Sequence, residues 1–324
     1  MATYKGIKGF TIQTIAGDPS DPILGQVWYN STSNVLKGYT SVTGAWSSGG
    51  NLNTARKAGA GAGSQTAALC IGSSAPMSIV EQYNGTSWTE VGDLGTARYE
   101  ATSAGTTTAG LLAGGNNNVT FGMGNVEEYN GTSWSEVNNI GTARYKINPS
   151  IGTQTAALAV GGILSSTQQD LNESYDGTSW TELADLNSAR GNGGAAGTST
   201  AAILAGGLLP GQTNFTETWD GTSWTEVGNL NTVRNSCGSA FQAASTAALI
   251  FGGDNGGPAR YMAITEKWDG TSWTEVADLA TACRTQAGAG TGSAALSAGG
   301  DQPPATNQTE EWTSGAQVVT FTSS

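Results

Sequence analysis

The hydrophobic and polar positions of this chain repeat in blocks. A typical block opens with a run of small residues, "ARYEATSAG", turns at "TT", enters an apolar run ending in two glycines, "AGLLAGG", crosses a polar loop and closes with "VEEYNGTSWSEV". The apolar segments are strand-length, Gly, Asn and Ser separate them, and no 3.6-residue period runs through them. Each block therefore predicts a four-stranded antiparallel sheet.

Tryptophan sets the register. Trp46, Trp88, Trp134, Trp180, Trp224 and Trp273 are separated by 42, 46, 46, 44 and 49 residues. A period of roughly 40 to 50 residues belongs to propeller blades or helical repeats, and the strand-like contents select blades. Five of these tryptophans end the segment Asn/Asp-Gly-Thr-Ser-Trp, with Tyr or Trp just before it. Asn-Gly and Asp-Gly are strong hairpin signals, because Gly accepts positive φ and Asn or Asp tolerates it. The turn thus predicts a hairpin between the third and fourth strands, flanked by aromatic anchors that each contribute about 2 kcal/mol on burial.

Two further features recur in each block. Arg56, Arg98, Arg144, Arg190, Arg234 and Arg284 follow the Trp strand, and they are six of the seven arginines. Placement at one point of every block reads as scaffold, with each guanidinium meeting carbonyls or a repeated acid such as Glu81, Glu128, Glu173, Glu217, Glu266 or Glu310; a ring for an acidic ligand is the other reading. Glycine pairs follow the second strand at Gly114, Gly161, Gly206, Gly252 and Gly299, with a degenerate "IGSS" at Gly72. There the backbone needs unusual torsions or close approach.

A glycine pair, an aromatic, Trp and then Arg, once per block, resembles the kelch repeat of β-propeller proteins over about residues 40–324. The resemblance implies an all-β, kelch-like β-propeller with six four-stranded blades, small-residue strand at the axis and Trp strand outermost. Trp46 precedes the first complete blade, so its strand is expected to complete the last one. The tail offers a competing fourth strand, Gln317 to Phe321, and if both are used the N-terminal strands form a partial blade and leave a seventh position open. Residues 1–39 read as a separate β-hairpin module or docking arm, with strands Gln26–Tyr29 and Val35–Tyr39 behind a linker at Asp18–Pro22.

Composition narrows the function. The formal net charge is -12 and the pI about 4.3, which disfavours nucleic acid. The opening residues carry no continuous apolar stretch, so neither a secretory signal nor membrane insertion is expected. Cys70, Cys237 and Cys283 are odd in number and far apart, and read as buried small residues rather than a disulfide framework or metal site. There is no histidine, which excludes Ser-His-Asp and Cys-His nucleophile systems and His-based metal sites, and separates the chain from galactose oxidase, a kelch-repeat enzyme with copper-ligating histidines. "SYDGTSW" is similar to the Asp-box of sialidases, itself a structural turn, and the adjacent Glu127 and Glu128 point to opposite faces of a strand. No enzyme activity, cofactor or metal is expected.

The second-to-third loops differ between copies while the Gly-Thr-Ser turns hardly change. Variation within a repeated scaffold marks where recognition is specialised. The candidate binding residues on these loops are Asn118, Phe121, Met123, Gln168, Leu208, Leu209, Phe215, Asp254, Arg260 and Tyr261, aromatic and arginine side chains among amides being suited to glycan or protein contact. The N-terminal segment "GQVWYNSTSNVLKGY", running into "WSSGGNLNTAR", resembles the start of repeat-containing structural proteins of marine bacteriophages, including those of cyanobacteria. That implies a virion component of tail or fibre, released by lysis, with other virion proteins and a host-surface glycan or protein as partners and homo-oligomerisation open. A structural or decorating subunit is the alternative, ahead of a carbohydrate-active enzyme or an intracellular adaptor.

Overall fold

The computed structural model describes residues 12–321 except 76, 150 and 259. Residues 1–11, part of the opening expected to lack an export or membrane signal, lie outside the described residues. The chain divides into two compact units, 1–44 with 314–324, and 45–313.

In the larger unit every block forms its own antiparallel sheet. Blade 1 comprises Ala60–Ser64, Ala67–Ser73, Met77–Tyr83 and Trp88–Glu90. Blades 2 to 5 have the same order and begin at Thr102, Ile151, Gly194 and Gly238. Blade 6 takes Ala287–Thr291, Ala294–Ala298 and the start of Thr309–Phe321, and its outer strand is the end of Val35–Ser48. The two ends of the chain therefore share one blade. Gln317–Phe321 is not a fourth strand of its own but the continuation of the third, and the described residues form six blades.

Trp46 shows why this closure is stable. In five blades the third- and fourth-strand aromatics sit directly opposite each other, ring centroids 4.9 Å apart for Tyr83–Trp88 and 5.5 Å for Trp219–Trp224. Blade 6 has no Gly-Thr-Ser turn, yet Trp46 lies 5.6 Å from Trp312 and makes the same pair from opposite ends of the sequence. Its indole N–H donates to Thr265 Oγ1 at 3.0 Å, tying blade 6 to blade 5. The turns themselves are capped as their sequence predicts: Asp176 Oδ1 accepts the N–H groups of Thr178 and Ser179 at 2.8 and 2.7 Å.

At Gly61 and Gly288 the inner strands stand too close together for any side chain. A Cβ on Gly61 would lie 2.1 Å from the carbonyl oxygen of Gly288, one blade away. Just before each inner strand, one residue adopts left-handed backbone: Ala58, Glu100, Lys146, Asn192, Ser236 and Thr285, with φ between 49 and 65°. The N–H of each donates to the carbonyl of the equivalent residue in the preceding blade, from Glu100 to Ala58 at 3.0 Å round to Ala58 to Thr285 at 2.9 Å. Six hydrogen bonds thus close a circle about the axis. A left-handed non-glycine residue costs about 1–2 kcal/mol, which the circle of bonds offsets.

The repeated arginines tie each blade to the loop entering it. Arg144, fully buried, donates through Nε to Gly161 O at 2.8 Å, through Nη1 to Thr142 O at 2.8 Å and through Nη2 to Ala159 O at 2.9 Å, and it pairs with Glu173. Arg56, Arg98, Arg190 and Arg234 pair likewise with Glu81, Glu127, Glu217 and Glu266. Two expectations are corrected. Arg98 pairs with Glu127 and not Glu128, because the alternation of the strand turns Glu128 outward to accept the Tyr175 hydroxyl at 2.8 Å. Arg284 does not occupy the repeated position: Cys283 does, as its carbonyl accepts the Gly253 N–H at 2.8 Å where other blades use the arginine carbonyl.

The smaller unit holds Gln13–Ile15 parallel to Val27–Asn30, which pairs antiparallel with Val35–Ser48. Trp28 is fully buried there, and Asp18, expected in a linker, accepts from Trp28 Nε1 at 3.2 Å, Asn30 Nδ2 at 2.8 Å and Lys37 Nζ at 2.8 Å.

Replacing Arg144 with Met strands a buried carboxylate and is expected to cost about 3–5 kcal/mol, whereas Arg144→Met with Glu173→Met recovers most of the loss. Urea denaturation of the three proteins checks this, and equal stability of the single and double variants refutes it.

Candidate functional site

The axis is a cup rather than a channel. Blade 5 joins its first two strands, Gly238–Ser239 and Leu249–Phe251, by a longer connection than any other blade, and this segment folds across the axis. Phe241 is buried in it, and Gln242 donates from its N–H to Gly290 O at 2.9 Å and from Nε2 to Gly105 O at 3.3 Å. Contacts to blades 6 and 2 fix the segment as a floor.

Above the floor lies a cavity of about 70 Å³, lined by Glu100, Lys146, Asn192, Ser236, Ser239 and Gln286 among others. Among the described residues its charged side chains are a loose ion pair, Lys146 Nζ to Glu100 Oε1 at 3.6 Å. Burial pushes the Glu100 carboxyl up, and Lys146 offsets part of that. Ser239 Oγ and Gln286 Oε1 are buried without a hydrogen-bond partner, while Gln286 Nε2 donates to Phe251 O at 2.9 Å. Buried polar atoms are ordinarily paired. Ser239, Gln286 and the ion pair of Glu100 and Lys146 give the cavity a polar lining.

The variable loops form its rim. The residues preceding the left-handed positions bridge directly to them: Tyr99 to Asn116, Tyr145 to Ile163, Gly191 to Leu208, Asn235 to Asp254 and Arg284 to Asp301. On the blade 2 and 3 side the Tyr99 hydroxyl donates to Asn118, and Phe121, 64% exposed, meets Tyr145 edge-on at 6.3 Å. Lys146 Nζ stands 6.0 Å from the Tyr145 ring centroid. On the opposite side an ionic chain links blades 5, 6 and 1. Arg260 binds Asp254 at 2.7 Å, Asp254 also binds Arg284, Arg284 binds Asp301 at 2.9 Å, and Asp301 binds Lys57 at 3.1 Å. Arg284 also lies over the Tyr261 ring at 5.1 Å.

The predicted loop residues thus separate. Asn118, Phe121, Arg260 and Tyr261 reach the rim in two clusters. Met123 is 5% exposed, not a surface contact, because its backbone bridges Gly115 and Arg144 and draws the side chain inward. Asp254 is buried as the hub of the ionic chain. Leu208 and Leu209 are half-buried; Gln168 Nε2 reaches Leu209 O at 3.4 Å, and Phe215 is exposed on the third strand of blade 4. The cysteines are buried and free. Sequence reasoning missed Phe241, Ser239, Gln286, Glu100 and Lys146; the 49-residue interval between Trp224 and Trp273, the longest in the series, was the one sign of the floor.

No protein-family model matches the chain. No curated protein matches it by sequence. The chain is nevertheless similar in fold to the solved structure of YjhT, with a TM-score of 0.68 at 14% identity, covering 80% of this chain and 95% of that one. The fold is a β-propeller. At that identity the likeness extends to architecture alone.

The ionic chain predicts a pH dependence. Burial would raise the carboxyls of Asp254 and Asp301, but hydrogen bonds from Arg260, the Gly256 N–H and Arg284 to the first, and from Lys57 and Arg284 to the second, hold both below the usual 3.8. A depressed carboxyl stabilises the fold above its unfolded value, and that stabilisation is lost as pH falls through the folded value. The wild type is therefore expected to lose more stability below pH 3.8 than the Asp254→Asn, Asp301→Asn variant, as read from urea midpoints. Parallel pH curves for the two proteins contradict the assignment.

Proposed function

We propose that the chain is a non-enzymatic binding protein of a bacteriophage particle, a kelch-like propeller whose axial cup and variable rim recognise a glycan or protein on the host surface. The observation that carries this reading is a coincidence of place. The loops that differ most between copies surround the cup, and Ser239 and Gln286, whose buried Oγ and Oε1 have no partner, belong to its lining. The exposed ring of Phe121 beside Tyr145 offers a stacking face for a sugar, while Glu100, Lys146 and Gln286 supply hydrogen-bonding groups within the cup. Membership of a virion rests on the resemblance of the N-terminal segment to phage structural proteins. Docking to other virion proteins is supported by the smaller unit, where Ile12, Ile23, Leu24 and Phe321 are exposed. That same observation favours, as a second reading, a structural or decorating subunit.

The test is saturable binding of fluorescently labelled protein to a panel of intact marine bacteria and cyanobacteria. A variant combining Phe121→Ser and Gln286→Leu, checked for an unchanged melting temperature, is expected to bind at least about tenfold more weakly. Equal binding by the two proteins, or none to any cell in the panel, favours the structural subunit.

A further inference from the structure

Blade 6 lacks the cation that the other five supply to themselves. In those blades the third-strand glutamate accepts N–H groups from the incoming loop and a guanidinium from an arginine four residues after Leu52, Leu94, Ile140, Leu186 or Leu230. Leu279 is the equivalent residue in blade 6, and four residues on stands Cys283, buried in an apolar cluster with Leu279 and Trp312. Arg284, one place too late, turns to Asp254 and Asp301. Glu310 keeps the loop contact, accepting the Ala280 N–H at 2.8 Å, and is 9% exposed. Among the described residues no cation pairs with it.

Glu310 lines a cavity of about 330 Å³, together with Ser48, Gly49, Asn51, Ala280, Thr281, Gln308 and Thr309, with no other charged side chain among the described residues. Burial pushes the Glu310 carboxyl up, the loop N–H groups opposing it only in part. A second acceptor is at hand. In blade 5 the carbonyl of Ile264, two residues before the glutamate, takes both the Gly252 N–H and the Arg234 guanidinium, at 3.1 and 2.8 Å. Its counterpart Gln308 O takes the Gly299 N–H at 2.9 Å and has a lone pair to spare.

We propose that this cavity is a binding site for an alkylguanidinium group, the end of an arginine side chain, which supplies Glu310 from outside with the cation that a resident arginine gives the glutamate of each other blade. A carboxylate and a carbonyl two residues apart suit the several N–H donors of a guanidinium better than a spherical ion. The site is independent of the cup and of the host-recognition reading.

The test is calorimetric titration of the full chain with N-acetyl-arginine amide, in which the guanidinium is the only charge, beside N-acetyl-lysine amide, sodium and calcium. Saturable binding of the arginine amide is expected, weakened at least about tenfold by the isosteric Glu310→Gln. Cys283→Arg is expected to abolish binding and to raise the melting temperature by supplying the missing partner. Wild-type and Glu310→Gln proteins that bind alike, no binding to the wild type, or preferential binding of calcium each overturn the proposal. If Cys283→Arg does not fold, the Glu310→Gln titration decides alone.

Discussion

The six backbone hydrogen bonds that circle the axis are the constraint on which the molecule turns. Each joins a left-handed residue to its counterpart in the preceding blade, so no blade completes its bonding alone and the last must meet the first. An open array would leave a buried N–H at one end and a carbonyl at the other, each costing about 1–3 kcal/mol. Closure lets Ala, Glu, Lys, Asn, Ser and Thr hold a conformation that glycine would adopt more easily. It also puts the side chains of Glu100, Lys146, Asn192 and Ser236 around the cup, so the element that closes the ring also builds its candidate binding site.

The buried arginines solve the second problem, which is to hold each blade to its approach loop without a large apolar core. Blades this rich in Gly and Ala bury little side-chain volume, and a guanidinium that bonds two strands, a loop and a carboxylate fills the gap with directional bonds. Such pairs add specificity of register more dependably than net stability. Blade 6 departs from the scheme and shows the alternative. Its neighbours tie to it by the ionic chain Arg260–Asp254–Arg284–Asp301–Lys57, while its own glutamate is left facing a cavity. Trp46, from the far end of the sequence, keeps in blade 6 the ring pair, here with Trp312, and the indole bond to a threonine of the preceding blade, here Thr265, that Trp88 and Trp273 make in theirs.

Strands, turns and blade order were legible because their causes are local. The Asx-capped turn before each Trp, the glycine pair and the small-residue run fix backbone torsion and spacing within a few residues, and a strict repeat multiplies the signal. The arginine series was misread at one member for an equally physical reason. Aligning on residue type hides a one-residue slip, and only the distance from Leu279 or the backbone register puts Cys283 in the slot. Met123 likewise read as an exposed loop residue because its loop is polar, although its backbone bridges two blades.

What the sequence by itself determined was the all-β class, the repeat unit, the four-stranded blade and the pairing of aromatics across each turn, since each follows from torsional preference and the period of apolar positions. Which of the two candidate strands completes blade 6, the floor made by Phe241, the circle of left-handed residues and the unpaired Glu310 were decided only in the tertiary structure. Those features depend on which residues from different blades meet at the axis or across the last seam. Non-local contacts of that kind leave no periodic trace in a chain whose axial positions share no residue type.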